Sequence, residues 1–203
     1  MILAIDTTAG TTAAVVDKQQ VLGFSEFEDR FGHAENIGNA IEQALQQAKV
    51  AAADISSVAI SRGPASYTGL RVGMAAGIAF ATSRSIPLVA VVALDAVATA
   101  NPVENSEQWM VVSDAKRGEF FTCRYSGVDE SGLAIRFSEP EVLKPEQVEK
   151  YSDLARVDIN SDAKLIGMYA EKAIEAGVDL SDATALYLRS PDVTPSTKKR
   201  VTG

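Results

Sequence analysis

Apolar and polar residues recur along this chain in two periods. Residues 1–5 form a short apolar run, 11–16 are β-branched and small, and Val21, Gly23, Ser25 and Phe27 alternate with more varied neighbours. This pattern predicts three strands joined by tight turns at 8–10 and 17–20. From His33 the period lengthens. Ala34, Ile37, Ile41, Ala44, Leu45 and Ala48 fall at helical spacing, with Glu35, Glu42, Gln43, Gln46 and Gln47 on the other faces, which predicts an amphipathic helix ending near Val50. Residues 55–60 read as a buried strand, Gly63-Pro64 breaks it, and Ser66 is the expected N-cap of a second helix. A strand over 88–92 and a short helix over 95–100, stopped by Asn101-Pro102, complete the order β-β-β-α-β-α-β-α. That order predicts an α/β layer with right-handed parallel crossovers.

After Pro102 the composition shifts toward charge, and strands are predicted over 109–113, 119–125 and 133–137. Lys144-Pro145-Glu146 opens a short helix, 162–176 a longer one, and 185–189 reads as a final strand. The boundaries expected are a first lobe over 1–102, a smaller second lobe over 103–189, and a loose tail over 190–203, rich in Pro, Thr, Ser and Lys. Strand, Asp and small turn occur twice, at Ile5-Asp6 and Ser113-Asp114.

With 203 residues, 46% of them hydrophobic, the chain is long enough to bury a real core. No basic region followed by an apolar run opens it, and the apolar stretch between Arg71 and Arg84 falls short of the roughly 20 residues that span a bilayer. A single cysteine, Cys123, permits no internal disulfide, and a cytoplasmic location with no membrane partner is expected. The formal charge of -8 argues against this chain clamping a nucleic-acid backbone, which takes Lys and Arg to neutralise phosphates. Any RNA contact would fall mainly to another subunit. The one basic cluster, Lys198, Lys199 and Arg200, reads as a solvated end.

Gly69, Gly73 and Gly77 recur every fourth residue in the second helix and so share one face. Together they cost about 3 kcal/mol of helix stability relative to alanine. Such a stripe is expected to be packed against closely, by a partner in this chain or in another protein.

Candidate chemistry is sparse. Asp6 closes a strand, and Thr7, Thr8 and Thr11 supply hydroxyls around the following turn, an arrangement able to meet a phosphate or, through water, a magnesium ion. Asp114, in the charged turn 114–119, would face Asp6 if the lobes oppose each other. The segment GPASYTGLR offers a helix start for an anion but is no P-loop, since no Lys follows Gly69. One histidine, His33, leaves no HExxH, HxxxH or Ser-His-Asp set, so no catalytic or metal-ligating residues are assigned and a metalloprotease is not supported. His33 reads as a helix-start residue and Cys123 as a buried small one.

ILAIDTT, GPASYTGLRVGMAAGIAFA, DAKRGEFF and ALYLR together resemble the bacterial TsaB proteins, also called YeaZ, whose patterns read approximately ILAIDTS, GPGSFTGLRIGLA, DARRGEVY and PxYLR. The resemblance covers most of the chain and is strongest over 1–125. It implies an actin-like ATPase (ribonuclease H-like) α/β fold in two lobes, the second reduced. It further implies a non-catalytic subunit that activates a TsaD-type partner in forming N6-threonylcarbamoyladenosine beside the anticodon of tRNAs reading codons that begin with A. The same resemblance implies that a TsaE-type ATPase would join the larger complex, that the free chain would form a homodimer, that tRNA would be touched only indirectly, and that, with no cofactor firmly assigned, ATP or ADP with magnesium would have a place at a subunit junction. By the same resemblance Ala34, Ile37, Ile41, Gly69, Leu70, Gly73, Met74 and Gly77 form the dimer face. The alternative is a small-molecule kinase or ATPase using Asp6 and Asp114. Ala65 stands where the family has a second glycine, where a left-handed turn would be strained. The region 144–185 is shorter than in longer members, and no Gly-Gly pair marks an adenosine site.

Overall fold

Alternation at every second residue sorts the first strands between two cores. In β1 (Ile2–Asp6), Leu3 and Ile5 enter one core and Ile2 and Ala4 the other; in β2 (Thr11–Asp17), Ala13 and Val15 oppose Ala14 and Val16 in the same way. The computed structural model describes residues 1–29, 32–103 and 107–189. The tail 190–203, with Lys198, Lys199 and Arg200, lies outside them. With β3 (Gln20–Phe27), β4 (Ser57–Ser61) and β5 (Leu88–Val91) the first sheet has the order β3-β2-β1-β4-β5. The first three strands pair antiparallel and the rest parallel, with Ile5 between Ala13 and Ile60.

Helices α1 (His33–Ala48) and α2 (Tyr67–Arg84) cover one face of this sheet. Gly23 sets how closely α1 approaches, because a Cβ there would lie 2.1 Å from the Ala44 carbonyl oxygen. Ser66 caps α2 by position, although its side chain makes no capping hydrogen bond. Gly63, at φ 104°, takes the left-handed turn before α2; Ala65 is not at positive φ, so the expected strain there is absent.

The second lobe follows α3 (Ala93–Ala100). Its sheet comprises β6 (Trp109–Asp114), β7 (Phe120–Val128), β8 (Ala134–Arg136), β9 (Glu141–Leu143) and β10 (Ala155–Val157), in the order β10-β6-β7-β8, with β9 also on β7. Trp109, Val111, Cys123 and Tyr125 pack on Leu94, Val97 and Ala98 of α3. Met110 and Val112 face the opposite side, toward Val148 of α4 (Pro145–Val148). Asp95 of α3 accepts from the Tyr125 hydroxyl at 2.9 Å and from the Arg136 guanidinium at 2.7 and 2.5 Å, which ties the helix to β7 and β8.

Two expectations are corrected. The helix predicted over 162–176 forms as α5 (Ala163–Glu175), with Asp162 accepting from the Leu165 amide as N-cap. It does not belong to the second lobe: Ile166 and Ala170 fill the other face of the first sheet, and Gly167 lets the helix come down on Val16 and Ala4. Glu171 accepts from the backbone amides of Lys18 and Gln19, both at positive φ, and so holds the β2–β3 turn from across the sheet. The segment 185–189 is no strand. It runs between the lobes and has one strand-like hydrogen bond, from the Leu186 amide to the Arg62 carbonyl at 2.7 Å.

Candidate functional site

Several residues gathered around the β1–β2 turn are tied into the fold by burial and hydrogen bonds. Asp6 is 2% exposed; it accepts from the Thr8 amide at 2.9 Å and the Thr8 hydroxyl at 3.0 Å. Burial pushes its pKa up to about 6 against these hydrogen bonds, with Asp162 adding to the rise. Ser161 lies close enough to favour the ionised form, although its hydroxyl closes no hydrogen bond of good geometry. Thr7 and Thr11, expected to meet nucleotide, are corrected. Thr7 is buried under α2, and Thr11 is buried with its hydroxyl 2.8 Å from His33 Nδ1. His33 opens α1 as expected, its ring wedged between β2 and Gly69 of α2, and burial lowers its pKa. Cys123 is buried and its thiol is pushed up to about 11 by desolvation.

The two Asp-containing turns do oppose each other. Thr8 and Ala9 from one and Ser113 and Asp114 from the other line the same cavity, with Pro64, Asn160 and Ser161 closing it. That shared cavity measures about 20 Å³, but a second one on the other side of the β1–β2 turn, lined by Ala9, Gly10, Thr12, Glu26, Glu28 and Asp162 among others, measures about 430 Å³, within the roughly 300–1,000 Å³ of small-molecule sites. Asp114 is exposed and accepts from the Lys116 amide at 2.7 Å.

The glycine stripe points inward, which corrects the expectation that Gly69, Gly73 and Gly77 form a surface for another subunit. A Cβ on Gly73 would lie 2.3 Å from Thr7 Oγ1, one on Gly77 2.2 Å from Ile60 Cγ2, and one on Gly69 2.9 Å from His33 Nε2. The close partner is the chain's own β1, β4 and α1. Leu70 and Met74 are buried in the same core and are equally withdrawn. Of the predicted face, Ala34 is exposed, and Ile37 and Ile41 are half-buried on the flank of that core.

What α2 presents outward is its opposite side: Arg71, Ala75, Ile78 and Ala79, with Ile78 42% exposed. On α1, Gly38 is exposed, and a Cβ there would meet nothing within 4 Å. Small and apolar residues thus line the outer surface of α2, whereas on α1 Ala34 and Gly38 stand among exposed Glu35, Asn39, Glu42 and Gln43. The signal for α2 was present in the sequence, since 75, 78 and 79 recur at helical spacing opposite 69, 73 and 77. A helix small or apolar all round does not declare which face is inside.

Comparison with known proteins gives a consistent pattern. The family profile described as "TsaD: tRNA N6-adenosine threonylcarbamoyltransferase" matches residues 30–187. An uncharacterized protein of Mycobacterium tuberculosis is 32% identical over 96% of this chain and 94% of its own length. One of Mycobacterium leprae is 32% identical over 97% of this chain, which spans 57% of that protein. The tRNA threonylcarbamoyladenosine biosynthesis protein TsaB of Escherichia coli is 26% identical over 96% of this chain and 84% of its own. Among solved structures, YeaZ from Pseudomonas aeruginosa superposes with a TM-score of 0.73 at 22% identity, covering 92% of this chain and 99% of that one. A second Pseudomonas aeruginosa structure, titled as similar to peptidase YEAZ, reaches 0.76 at 23% identity, over 93% and 99%. The fold is the two-lobed, actin-like α/β fold.

Proposed function

This chain belongs to the TsaD family as a TsaB-like member, and from that premise we propose that it is a non-catalytic accessory subunit in the formation of N6-threonylcarbamoyladenosine on tRNA, working by pairing with a TsaD-type catalytic subunit. The observation that carries this reading is the outer surface of α1 and α2, where Ala34, Ala75, Ile78 and Ala79 stand exposed beside half-buried Ile37 and Ile41. Small side chains on two adjacent helices let a second helix pair approach to the 8–10 Å typical of close packing. The chain's single histidine supports the accessory role. So does the lack, among the described residues, of any group of three His, Cys, Asp or Glu able to hold a metal. Among the same residues no helix is long and apolar enough to cross a membrane.

Three finer points belong to the same proposal. The free chain uses this surface to form a homodimer, and a TsaE-type ATPase joins once the TsaD-type partner is in place. ATP or ADP with magnesium binds at the subunit junction, where the partner's residues add to those of this chain.

Ile78→Arg tests the surface without touching the core. The expected outcome, by light scattering of the variant mixed with the TsaD-type subunit, is loss of the complex with an unchanged melting temperature. Modified adenosine in tRNA should be lost with it. Wild-type complex formation by the variant would exclude α2's outer face, and tRNA modification that persists without a complex would exclude the accessory role.

A further inference from the structure

After α5 the chain runs back along the seam between the lobes, and residues 183–188 alternate between two cores. Ala183, Ala185 and Tyr187 pack against the first lobe; Leu186 and Leu188 pack against the second. This is the two-residue period of an extended segment, used here to join lobes rather than to extend a sheet. It is fixed at three places. At the start, the Ala90 amide donates to the Leu180 carbonyl at 2.9 Å, and Arg62 binds both the carbonyl of Asp182, at 2.6 Å, and its carboxylate. In the middle, Tyr187 packs on Tyr67 with ring centroids 4.8 Å apart, and its hydroxyl accepts from Arg71 Nε at 3.1 Å. The Arg71 guanidinium lies 3.8 Å above the Tyr67 ring, so all three groups sit on the first turns of α2. At the end, Arg189 donates to the Ala115 carbonyl at 2.8 Å, to the Lys116 carbonyl at 3.2 Å and to the Glu119 carboxylate, all in the β6–β7 turn.

We infer that this segment is a strap coupling the β6–β7 turn of the second lobe to the first turn of α2 in the first lobe, so that loosening either end loosens the other. The planar guanidinium of Arg189 is held by three acceptors and has little freedom left. Two residues upstream Tyr187 is clamped between rings and guanidinium, and a backbone already extended has little slack to absorb a displacement. A cavity of about 380 Å³ borders the start of the strap, lined by Leu180 and Asp182 together with Arg62, Asp95, Arg136 and Tyr169 among others. With side chains in both cores and a fixed contact at each end, the strap is a mechanical link between the lobes.

Amide hydrogen exchange on the full chain tests this. Arg189→Lys keeps the charge but cannot serve three acceptors at once. It is expected to speed exchange about tenfold at the Glu119 amide, which bonds the Lys116 carbonyl, and also at the remote Leu70 amide, which bonds the Ser66 carbonyl in α2. Tyr187→Ala should act in the opposite direction, speeding Glu119 from the α2 end. Acceleration confined to the substituted end in either variant overturns the coupling. Equal acceleration of core amides such as Val15 and Val111 overturns it as well, since that reports general loosening. If Tyr187→Ala does not fold, Tyr187→Phe keeps the ring contact, removes the acceptor for Arg71, and carries the same test.

Discussion

Gly73 has a threonine directly beneath it, and that contact decides what its missing side chain is for. Gly73→Ala and Gly77→Ala would set a methyl against Thr7 and Ile60, and each is expected to cost about 1–3 kcal/mol by overpacking. Gly38→Ala, with open space around it, should instead gain about 0.5–1 kcal/mol from helix propensity alone. Urea denaturation of the three variants gives opposite signs if the stripe faces inward and Gly38 outward. Asp6 supplies a second residue-level test. Its pKa rises from 3.8 to about 6 on folding, so between those values the folded state binds more protons than the unfolded one. Stability from this group is present below pH 3.8 and falls as pH rises through 6, by on the order of 3 kcal/mol. Asp6→Asn, which keeps an acceptor for the Thr8 amide, is expected to flatten that slope and to be more stable than wild type at pH 7. His33, whose pKa is lowered by burial, acts with the opposite sign as pH falls below 6.5. Because it is present in both proteins, the difference between their urea midpoints at pH 4 to 7 isolates Asp6.

At the scale of elements, β1 and β2 were legible as short apolar or β-branched runs buried on both faces, and α1 because it is long enough to repeat its apolar stripe with one face buried. β9 and β10, at three residues each, complete no period and give no signal. The stretch 185–189 does alternate, but its two faces enter different cores, and local pattern cannot tell a sheet from a seam. Asp162 and the helical spacing after it announced α5 correctly; its return to the first sheet is a matter of topology, which no local window contains. The same limit governed the candidate site. Asp6 and its threonines form a polar turn by composition, and only packing shows that Thr7 and Thr11 face into the protein. The apolar residues of α2 were visible on both sides, and which side is outermost depended on β1 and β4 lying beneath the glycines.

Across the whole molecule, an ion pair adds to the apolar packing that attaches α3 to the second sheet. Asp95 is buried, and Arg136 reaches it in a bidentate grip alongside Tyr125. Arg136→Ala strands the carboxylate and is expected to destabilise by roughly 3 kcal/mol. Replacing the pair together, by Arg136→Met with Asp95→Leu, should recover most of that loss; thermal unfolding of the single and double variants checks both figures. A different consequence follows from the placement of α5. The Ala163 amide bonds the Thr12 hydroxyl across a sequence separation of 151, so the inner surface formed by Ala4, Val16 and Ala59 has no cover from α5 until that stretch has been made. At ordinary translation speeds the ribosome takes about 10–30 s to make that stretch. For that interval the first lobe is a sheet with one bare apolar side.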